Sequence, residues 1–213
     1  MDSLADIRKE YQLQTLQENE VENDPVKQFA KWWGDAIESK IDEVNAMTLS
    51  TVNEKGKPSA RIVLLKGFDE NGFVFFTNYN SHKGDHLKHC PYASLIFFWK
   101  ELERQVKIEG EVTKVSETES DIYFNSRPPE SRIGAWASPQ SKVIENRSIL
   151  EENLLKYRQQ FTDENIPRPP HWGGYIVKPT LVEFWQGRPS RLHDRILYTL
   201  QKNGAWKIER LAP

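Results

Sequence analysis

The sequence has 213 residues, a formal net charge of −2 and a pI near 6.2. These values argue against a general nucleic-acid binder, which usually carries an excess of basic residues, but they are compatible with a local basic pocket. The single cysteine, Cys90, excludes an intrachain disulfide and indicates reducing surroundings. Residues 1–14 lack the apolar stretch of a secretory signal, and no uncharged run approaches the roughly 20 residues of a membrane helix, so we expect a cytoplasmic protein with neither membrane nor nucleic acid as partner.

The first predicted element follows a polar, acidic segment, residues 1–22, which we interpret as a mobile arm or a peripheral helix. A helix is predicted to begin at Asp24 and Pro25, because a capping residue there precedes a proline suited to the first helical position. Apolar residues follow at helical spacing and predict a stripe that faces the core: Phe29, Trp32, Trp33 and Ile37.

Short apolar runs separated by turn signals dominate the rest of the chain. They predict strands at 46–52, 59–66, 73–77, 93–99, 105–115, 174–177, 181–185, 196–200 and 206–209. Helices are expected at 81–89, at 118–125 and around the spaced apolar residues Leu150, Leu154, Tyr157 and Phe161. Because strands and helices do not alternate along the chain, we predict a mainly antiparallel β-barrel with added helices, formed as a single domain by residues 23–213.

Cations lie in or beside the second predicted strand, where Arg61 begins the apolar run IVLL and Lys66 ends it. A buried charge is costly unless it is paired or binds an anion, although both side chains could also reach solvent at the strand ends. A second cluster combines hydroxyls with cations just before a short helix: Thr77, Ser81, His82 and Lys83. Such a cluster suits a phosphate group, and it can equally cap an ordinary helix.

Another anion-binding pattern lies in FNSRPPESRIGAWASPQS and combines Tyr123, Arg127, Ser131 and Arg132. Tyr123 and Arg127 are four residues apart, so on a helix that ends at Pro128 they would share a face. Tyrosine, arginine and serine can grip a phosphate through hydroxyl and guanidinium contacts. Two phosphate sites would be explained by one phosphorylated cofactor and one phosphorylated substrate.

The densest cluster is VEFWQGRPSRLHDR, residues 182–195, in which Arg191, His193 and Arg195 alternate. In a strand-like segment alternate residues share one face, so two guanidinium groups and an imidazole would crowd one surface. Ordinary surface charge is one interpretation. The adjacent aromatic run EFW favours the other interpretation, an anionic, aromatic ligand.

The same segment resembles the signature of the pyridoxamine 5′-phosphate oxidase family. Blocks in the family's order support the resemblance from about residue 25 onward: RIVLLK, FFTNYNSHKG, ERQVKIEG, YFNSRPPESRIGAWASPQS, WGGY and the ending WKIERLAP. The resemblance implies an FMN-binding split β-barrel and a homodimer with active sites at the subunit interface. It also implies oxidation of pyridoxamine 5′-phosphate and pyridoxine 5′-phosphate to pyridoxal 5′-phosphate by FMN and dioxygen, with release of hydrogen peroxide, and of ammonia from the amine.

The resemblance also implies roles for individual residues. For FMN it implies Arg61, Ile62, Val63, Leu64, Leu65, Lys66, Phe76, Thr77, His82, Lys83, Gln105, Gln140, Ser141, Trp185 and Arg195. For the substrate it implies Lys66, Tyr123, Arg127, Ser131, Arg191 and His193, the last two as catalytic residues. The chain departs from the family at His82, where arginine is usual, and at Phe76, where some relatives have tyrosine. We expect the first change to weaken FMN binding or make it pH-dependent, because imidazole cannot form a guanidinium fork.

Two other functions fit parts of the pattern. The phosphate-binding residues would equally serve a non-catalytic binder of pyridoxal phosphate. Flavin reductases and other flavin- or haem-linked proteins share the split barrel, but they lack the RLHDR segment. Turnover of pyridoxine 5′-phosphate, followed as aldehyde and peroxide, distinguishes the three functions.

Overall fold

The computed structural model of the protein describes residues 3–6, 9–161 and 165–213. Its α-helices are α1 (Pro25–Glu38), α2 (His82–His89), α3 (Glu117–Ser126), α4 (Pro129–Ala137) and α5 (Ser148–Gln160). Its strands are β1 (Ala46–Val52), β2 (Pro58–Leu64), β3 (Gly67–Asp69), β4 (Gly72–Asn78), β5 (Tyr92–Trp99), β6 (Arg104–Lys114), β7 (Trp172–Gln186), β8 (Asp194–Leu200) and β9 (Trp206–Arg210). Short 3-10 helices span Leu4–Asp6, Lys100–Leu102 and Pro189–Arg191.

The strands form one nine-stranded sheet in the described part of the chain, in the order β2-β1-β5-β6-β7-β4-β3, and β7 also pairs with β8, which pairs with β9. The pairs β3–β4, β4–β7, β7–β8 and β8–β9 are antiparallel. The predicted class, mainly antiparallel β with added helices, is therefore confirmed. Among the residues that the structure describes, no helix has the length and apolar character needed to cross a membrane.

Helix α1 begins where the sequence predicts. The Asp24 carboxylate accepts hydrogen bonds from the backbone N–H groups of residues 26 and 27, at 2.9 and 3.0 Å, and so caps the helix. Phe29, Trp32 and Ala36 lie on one face and are buried. The predicted stripe is wrong at Ile37, whose side chain is 51% exposed. Ala36, four residues after Trp32, continues the buried face of the helix, and Ile37 lies to one side of that face.

The described residues group into two compact units, one drawn from Met1–Leu49, Ser94–Gly110 and Pro179–Pro213 and the other from Ser50–Ala93 and Glu111–Lys178. In the first unit Phe29 packs against Phe97, with ring centroids 5.1 Å apart. In the second unit Phe124 packs edge-on against Trp172, with ring centroids also 5.1 Å apart. The single domain at 23–213 and the mobility of residues 1–22 remain predictions.

The two strands predicted at 174–177 and 181–185 are one continuous strand, β7. Pro179 lies between the residues of β7 that pair with β4, which end at Val177, and those that pair with β8, which begin at Leu181. The sequence also gave no sign of β3 or α4. The proline-rich segment DENIPRPPH, residues 163–171, predicts a loop; residues 163 and 164 lie outside the described part of the chain, and residues 165–169 form neither helix nor strand.

Residues 9–22 form no regular helix and are attached to the first unit by specific bonds. The buried Glu103 carboxylate accepts hydrogen bonds from the backbone N–H groups of Gln12 and Leu13, at 2.8 and 3.1 Å. The Arg210 guanidinium forms a two-pronged contact with the Glu18 carboxylate, at 2.5 and 2.8 Å. These contacts fix the path of the segment that leads to α1.

Candidate functional site

A cavity of about 500 Å³ in the second unit collects most of the residues predicted to bind phosphorylated ligands. The predicted residues that line it are Arg61, Ile62, Val63, Leu64, Lys66, Phe76, Thr77, Lys83, Tyr123, Arg127, Ser131 and Gln140. The two phosphate-binding patterns of the sequence, far apart along the chain, therefore line a single cavity. A volume in this range is typical of a site for small molecules.

Arg61 lies on β2, and neutral oxygens hold its guanidinium group. Its Nη1 donates to Thr51 Oγ1 at 2.8 Å and to the Ser59 carbonyl at 3.0 Å, and its Nη2 donates to Ser59 Oγ at 2.8 Å. Burial lowers the pKa of Arg61, since desolvation penalises the charged form. A bound anion would offset that penalty.

Lys83 follows the Ser81 cap of α2 and reaches into the same cavity. Its ammonium donates to three neutral oxygens, those of Thr77, Ser81 and Gln140, each at 3.2 Å. Burial, and secondarily repulsion from Arg61, lowers the pKa of Lys83 to about 8. Arg61 and Lys83 line one cavity, and Lys83 lies near the N-terminus of α2, so together they supply cationic donors of the kind that a phosphate prefers.

Arg127 carries the second pattern, but not on the helix face that its spacing predicts. Helix α3 ends at Ser126, and Arg127 is extended (φ −77°, ψ 148°) because Pro128 disfavours the helical conformation in the preceding residue. Its guanidinium lies 4.7 Å from the ring centre of Trp172. Nη1 is buried without a hydrogen-bond partner in the described structure, and burial lowers the pKa of Arg127. A buried donor of this kind fits an anionic ligand.

Aromatic rings form one wall of the cavity. Phe76 on β4 stacks on Tyr123 of α3, with centroids 4.0 Å apart, and on Trp172 of β7, at 5.6 Å. The ammonium group of Lys66 lies 5.9 Å from the Tyr123 ring centre. Ser131 reaches the cavity from α4. Cations and flat apolar surfaces thus occur together, as an anionic, aromatic ligand requires.

Three further residues implied for FMN belong to the second unit without lining the cavity. Leu65 is buried, and His82, the first residue of α2, is exposed. Ser141 is exposed with φ +69°, a left-handed conformation that only some residue types adopt readily. Any contact of these residues with a ligand in the cavity would involve backbone atoms or a change of rotamer.

Arg191 and His193 line a different cavity, of about 460 Å³, in the first unit, where the other lining residues are Lys9, Glu10, Tyr11, Arg188 and Ser190. The expected strand-like alternation is wrong here, because β8 begins only at Asp194 and Arg191 ends a 3-10 helix. Ser190 and Arg191 both have positive φ, 55° and 61°. A left-handed pair instead of extended backbone sets the direction of the Arg191 side chain.

The His193 ring has defined neighbours. Its Nδ1 accepts a hydrogen bond from the Arg188 backbone N–H at 3.1 Å, so in the neutral ring the proton is on Nε2. The rings of Trp185 and Tyr11 lie 4.6 and 6.1 Å away, centroid to centroid. Burial, followed by repulsion from Arg191, lowers the pKa of His193. Near pH 7 the imidazole therefore acts as a neutral Nε2–H donor.

Arg195 and Gln105 complete the predicted set in the first unit. Arg195 Nε donates to the buried Glu183 carboxylate at 2.8 Å, and Nη1 donates to the Ala212 carbonyl at 2.8 Å. Hydrogen bonding to Glu183 raises the pKa of Arg195. Gln105 is half-buried on β6. The positive charge of Arg195 is thus paired with a carboxylate of the same chain.

Sequence reasoning missed several lining residues. Trp172 stands in the block WGGY, and its position in a quoted family block was a usable signal. Asn78, Gly134, Ala135 and Ser138 also line the first cavity, and they too stand in quoted family blocks. Tyr11 lines the second cavity from a segment with few apolar residues, where neither periodicity nor composition indicates a site.

Comparison with known proteins agrees with this geometry. Residues 34–161 match the family model described as pyridoxamine 5′-phosphate oxidase, and residues 172–213 match the pyridoxine 5′-phosphate oxidase C-terminal dimerisation region. A pyridoxine/pyridoxamine 5′-phosphate oxidase from a Cyanothece species is 58% identical over 211 residues, which cover 99% of each chain.

Two solved structures are also similar. PhzG from Burkholderia lata, in complex with tetrahydrophenazine-1-carboxylic acid, is 27% identical with a TM-score of 0.89, and the match covers 96% of this chain and 100% of that one. A pyridoxamine 5′-phosphate oxidase-related, FMN binding protein from Nostoc punctiforme, 19% identical, has a TM-score of 0.70 over 87% of this chain and 97% of that one, which confirms the predicted split-barrel fold. The chain belongs to the pyridoxamine 5′-phosphate oxidase family of oxidoreductases.

Proposed function

We propose that the protein oxidises pyridoxamine 5′-phosphate and pyridoxine 5′-phosphate to pyridoxal 5′-phosphate, using FMN and dioxygen and releasing hydrogen peroxide, with ammonia from the amine. The observation that carries the proposal is the single cavity lined by both phosphate-binding patterns of the sequence. The names of relatives such as the Cyanothece enzyme support the choice of substrates.

The cofactor assignment rests on whether the residues present fit FMN. Arg61, Thr77, Lys83 and Gln140 would hold its phosphate, and their fit is supported by two partly desolvated cations that line the same cavity and donate hydrogen bonds to neutral oxygens. FMN, when bound, supplies a ring that accepts hydride from the substrate and is reoxidised by dioxygen. The protein's contribution is position and charge.

The substrate phosphate would be held by Lys66, Tyr123, Arg127 and Ser131. Support comes from Arg127, whose buried Nη1 has no hydrogen-bond partner in the described structure and gains one from a phosphate oxygen. The stacked rings of Phe76, Tyr123 and Trp172 provide an apolar wall beside these groups. The site would therefore prefer phosphorylated over unphosphorylated forms of the vitamin.

Arg191 and His193 would hold the reacting part of the substrate. Arg191 contributes a permanent positive charge, and His193 contributes a proton on Nε2, fixed there by the Arg188 backbone N–H at Nδ1. Both residues lie in the segment that matches the dimerisation region. We therefore propose a homodimer in which these residues act on substrate held by the phosphate-binding cavity of the partner subunit. The one cysteine, Cys90, a free thiol, supports a cytoplasmic location.

A direct assay tests the proposal. Purified protein is first denatured to identify its cofactor, then reconstituted with FMN and incubated with pyridoxine 5′-phosphate or with pyridoxine, while aldehyde and peroxide are followed. We expect released FMN, equal amounts of aldehyde and peroxide from the phosphorylated substrate, and little product from pyridoxine. Recovery of FAD or haem would refute the cofactor assignment. Tight binding of pyridoxal phosphate without turnover would instead identify a carrier, and flavin reduction by a nicotinamide donor alone would identify a reductase.

A further inference from the structure

A buried hydroxyl connects the guanidinium of Arg61 to a histidine outside the cavity lining. Thr51 on β1 is 1% exposed, and its Oγ1 accepts from Arg61 Nη1 at 2.8 Å. The same Oγ1 lies 3.0 Å from Nδ1 of His86, which is half-buried in the last turn of α2. All three residues belong to the second unit. No pattern in the sequence brings Thr51 and His86 to the cofactor site.

The Arg61 end of this hydrogen-bond chain has a fixed role, and the His86 end has a role set by its tautomer. A guanidinium group only donates, so Thr51 Oγ1 must accept from Arg61. The threonine then has one proton to donate, and His86 Nδ1 lies within hydrogen-bond distance of Oγ1. The tautomer with its proton on Nε2 accepts that proton at Nδ1, whereas the tautomer with its proton on Nδ1 donates to the second lone pair of Oγ1. With Nδ1 as acceptor, the hydroxyl proton turns away from Arg61 and a lone pair turns toward it.

We propose that His86 is a positioning residue for the FMN phosphate, acting through Thr51 on the guanidinium of Arg61. The inference rests on the proposed function, since it takes Arg61 as a ligand of that phosphate. Ser59 holds the same guanidinium from two residues away on β2, and Thr51 holds it from another strand. Fixing the group from two sides lowers the entropy lost when it engages an anion.

The experiment compares binding of FMN and riboflavin to apoprotein by quenching of flavin fluorescence. His86→Leu removes the ring nitrogen that contacts Thr51, whereas His86→Asn places an amide oxygen or nitrogen where Nδ1 was, because these atoms are all bonded to Cγ. His89→Leu is the matched control, since His89 is exposed on the same helix. We expect His86→Leu to weaken FMN binding about 3- to 10-fold, the usual effect of one hydrogen bond, without changing riboflavin binding. His86→Asn should restore FMN binding to within about twofold, and His89→Leu should match the wild type.

A second pair of variants keeps the test decisive if His86→Leu folds poorly. Thr51→Val removes the hydroxyl at nearly constant shape and should weaken FMN binding without changing riboflavin binding, whereas Thr51→Ser retains the hydroxyl and should bind FMN like the wild type. Where His86→Leu folds, the double variant His86→Leu/Thr51→Val should bind FMN no worse than Thr51→Val alone. Equal losses of FMN and riboflavin affinity, or additive losses in the double variant, would overturn the positioning role. If wild-type protein does not prefer FMN to riboflavin, the proposed function fails first and this inference fails with it.

Discussion

Replacement of Arg127 by methionine separates a ligand-binding role from a structural one. The change removes the charge and keeps most of the apolar stem. Loss of a charged contact to a desolvated ligand typically costs about 2 to 5 kcal/mol, so kcat/KM for pyridoxine 5′-phosphate should fall by roughly 30-fold or more. Turnover of unphosphorylated pyridoxine should barely change, because that substrate lacks the anion that Arg127 is proposed to bind.

The same replacement should leave the free protein about as stable as before. It relieves a buried donor, Nη1, that has no hydrogen-bond partner in the described structure, and this is worth about 1 to 3 kcal/mol. It loses contacts of the guanidinium with the Trp172 and Phe124 rings, 4.7 and 5.6 Å away. Each ring contact is worth about 0.5 to 1 kcal/mol at a partly exposed site. These contributions nearly cancel, so Tm should remain within about 2 to 4 °C of the wild type.

Steady-state kinetics with both substrates and thermal unfolding of the apoprotein measure these effects. Arg158→Met is the control, because Arg158 is an arginine of the same unit that pairs with Glu130 at the surface. It should leave both kcat/KM values and Tm unchanged. A large fall in Tm for Arg127→Met, with the preference for phosphorylated substrate intact, would show that Arg127 is structural and refute the reasoning.

Three further predictions concern the cofactor and the assembly. FMN affinity should fall as the pH rises above about 8, because the lowered pKa of Lys83 leaves its amine neutral there. Titrations of FMN binding from about pH 7 to about pH 9.5 should show the fall, and Lys83→Arg should abolish it. If FMN affinity depends on pH equally steeply in Lys83→Arg, Lys83 is not the cause. Arg191→Ala should lower kcat/KM by roughly 30-fold or more with normal flavin content, and His193→Ala should lower it less. Arg195→Ala should instead lower FMN occupancy. Flavin stoichiometry and steady-state kinetics measure these effects, and normal turnover of Arg191→Ala once FMN is restored would contradict these roles. The protein should be a dimer in light scattering. A mixture of inactive Arg61→Ala and Arg191→Ala chains should regain activity, because one site of a mixed dimer would keep both residues. A monomer at working concentration would disprove sites built from two subunits.

Local signals predicted local structure well. Asp24 and Pro25 identified the start of α1 because a cap and a first-turn proline act within a few residues. The same local reasoning failed at Pro129. The proline pair was interpreted only as the end of α3, whereas Pro129 is also the first residue of α4. A proline that ends one helix and begins the next cannot be distinguished from a simple terminator by spacing alone.

The candidate site was predicted unevenly for a related reason. Thr77 and Lys83 were recognised together because one strand end and the following helix bring them close. That Arg127 lines the same cavity as Arg61 is a consequence of tertiary packing, and only the family resemblance indicated it. The alternation at Arg191 was misleading because two successive left-handed residues replace extended backbone. Periodicity assumes regular backbone, and functional loops often depart from it.

The contact between Arg210 and Glu18 joins residues separated by 192 positions in the chain. A ribosome makes Glu18 early and Arg210 after β8, so residues 9–22 cannot take up this contact while most of the protein is being synthesised. Until Arg210 is made, the part of this segment around Glu18 lacks that contact and is more available to chaperones and proteases. Pulse-labelled nascent chains should therefore be cut in this segment by a protease that spares it in the released protein.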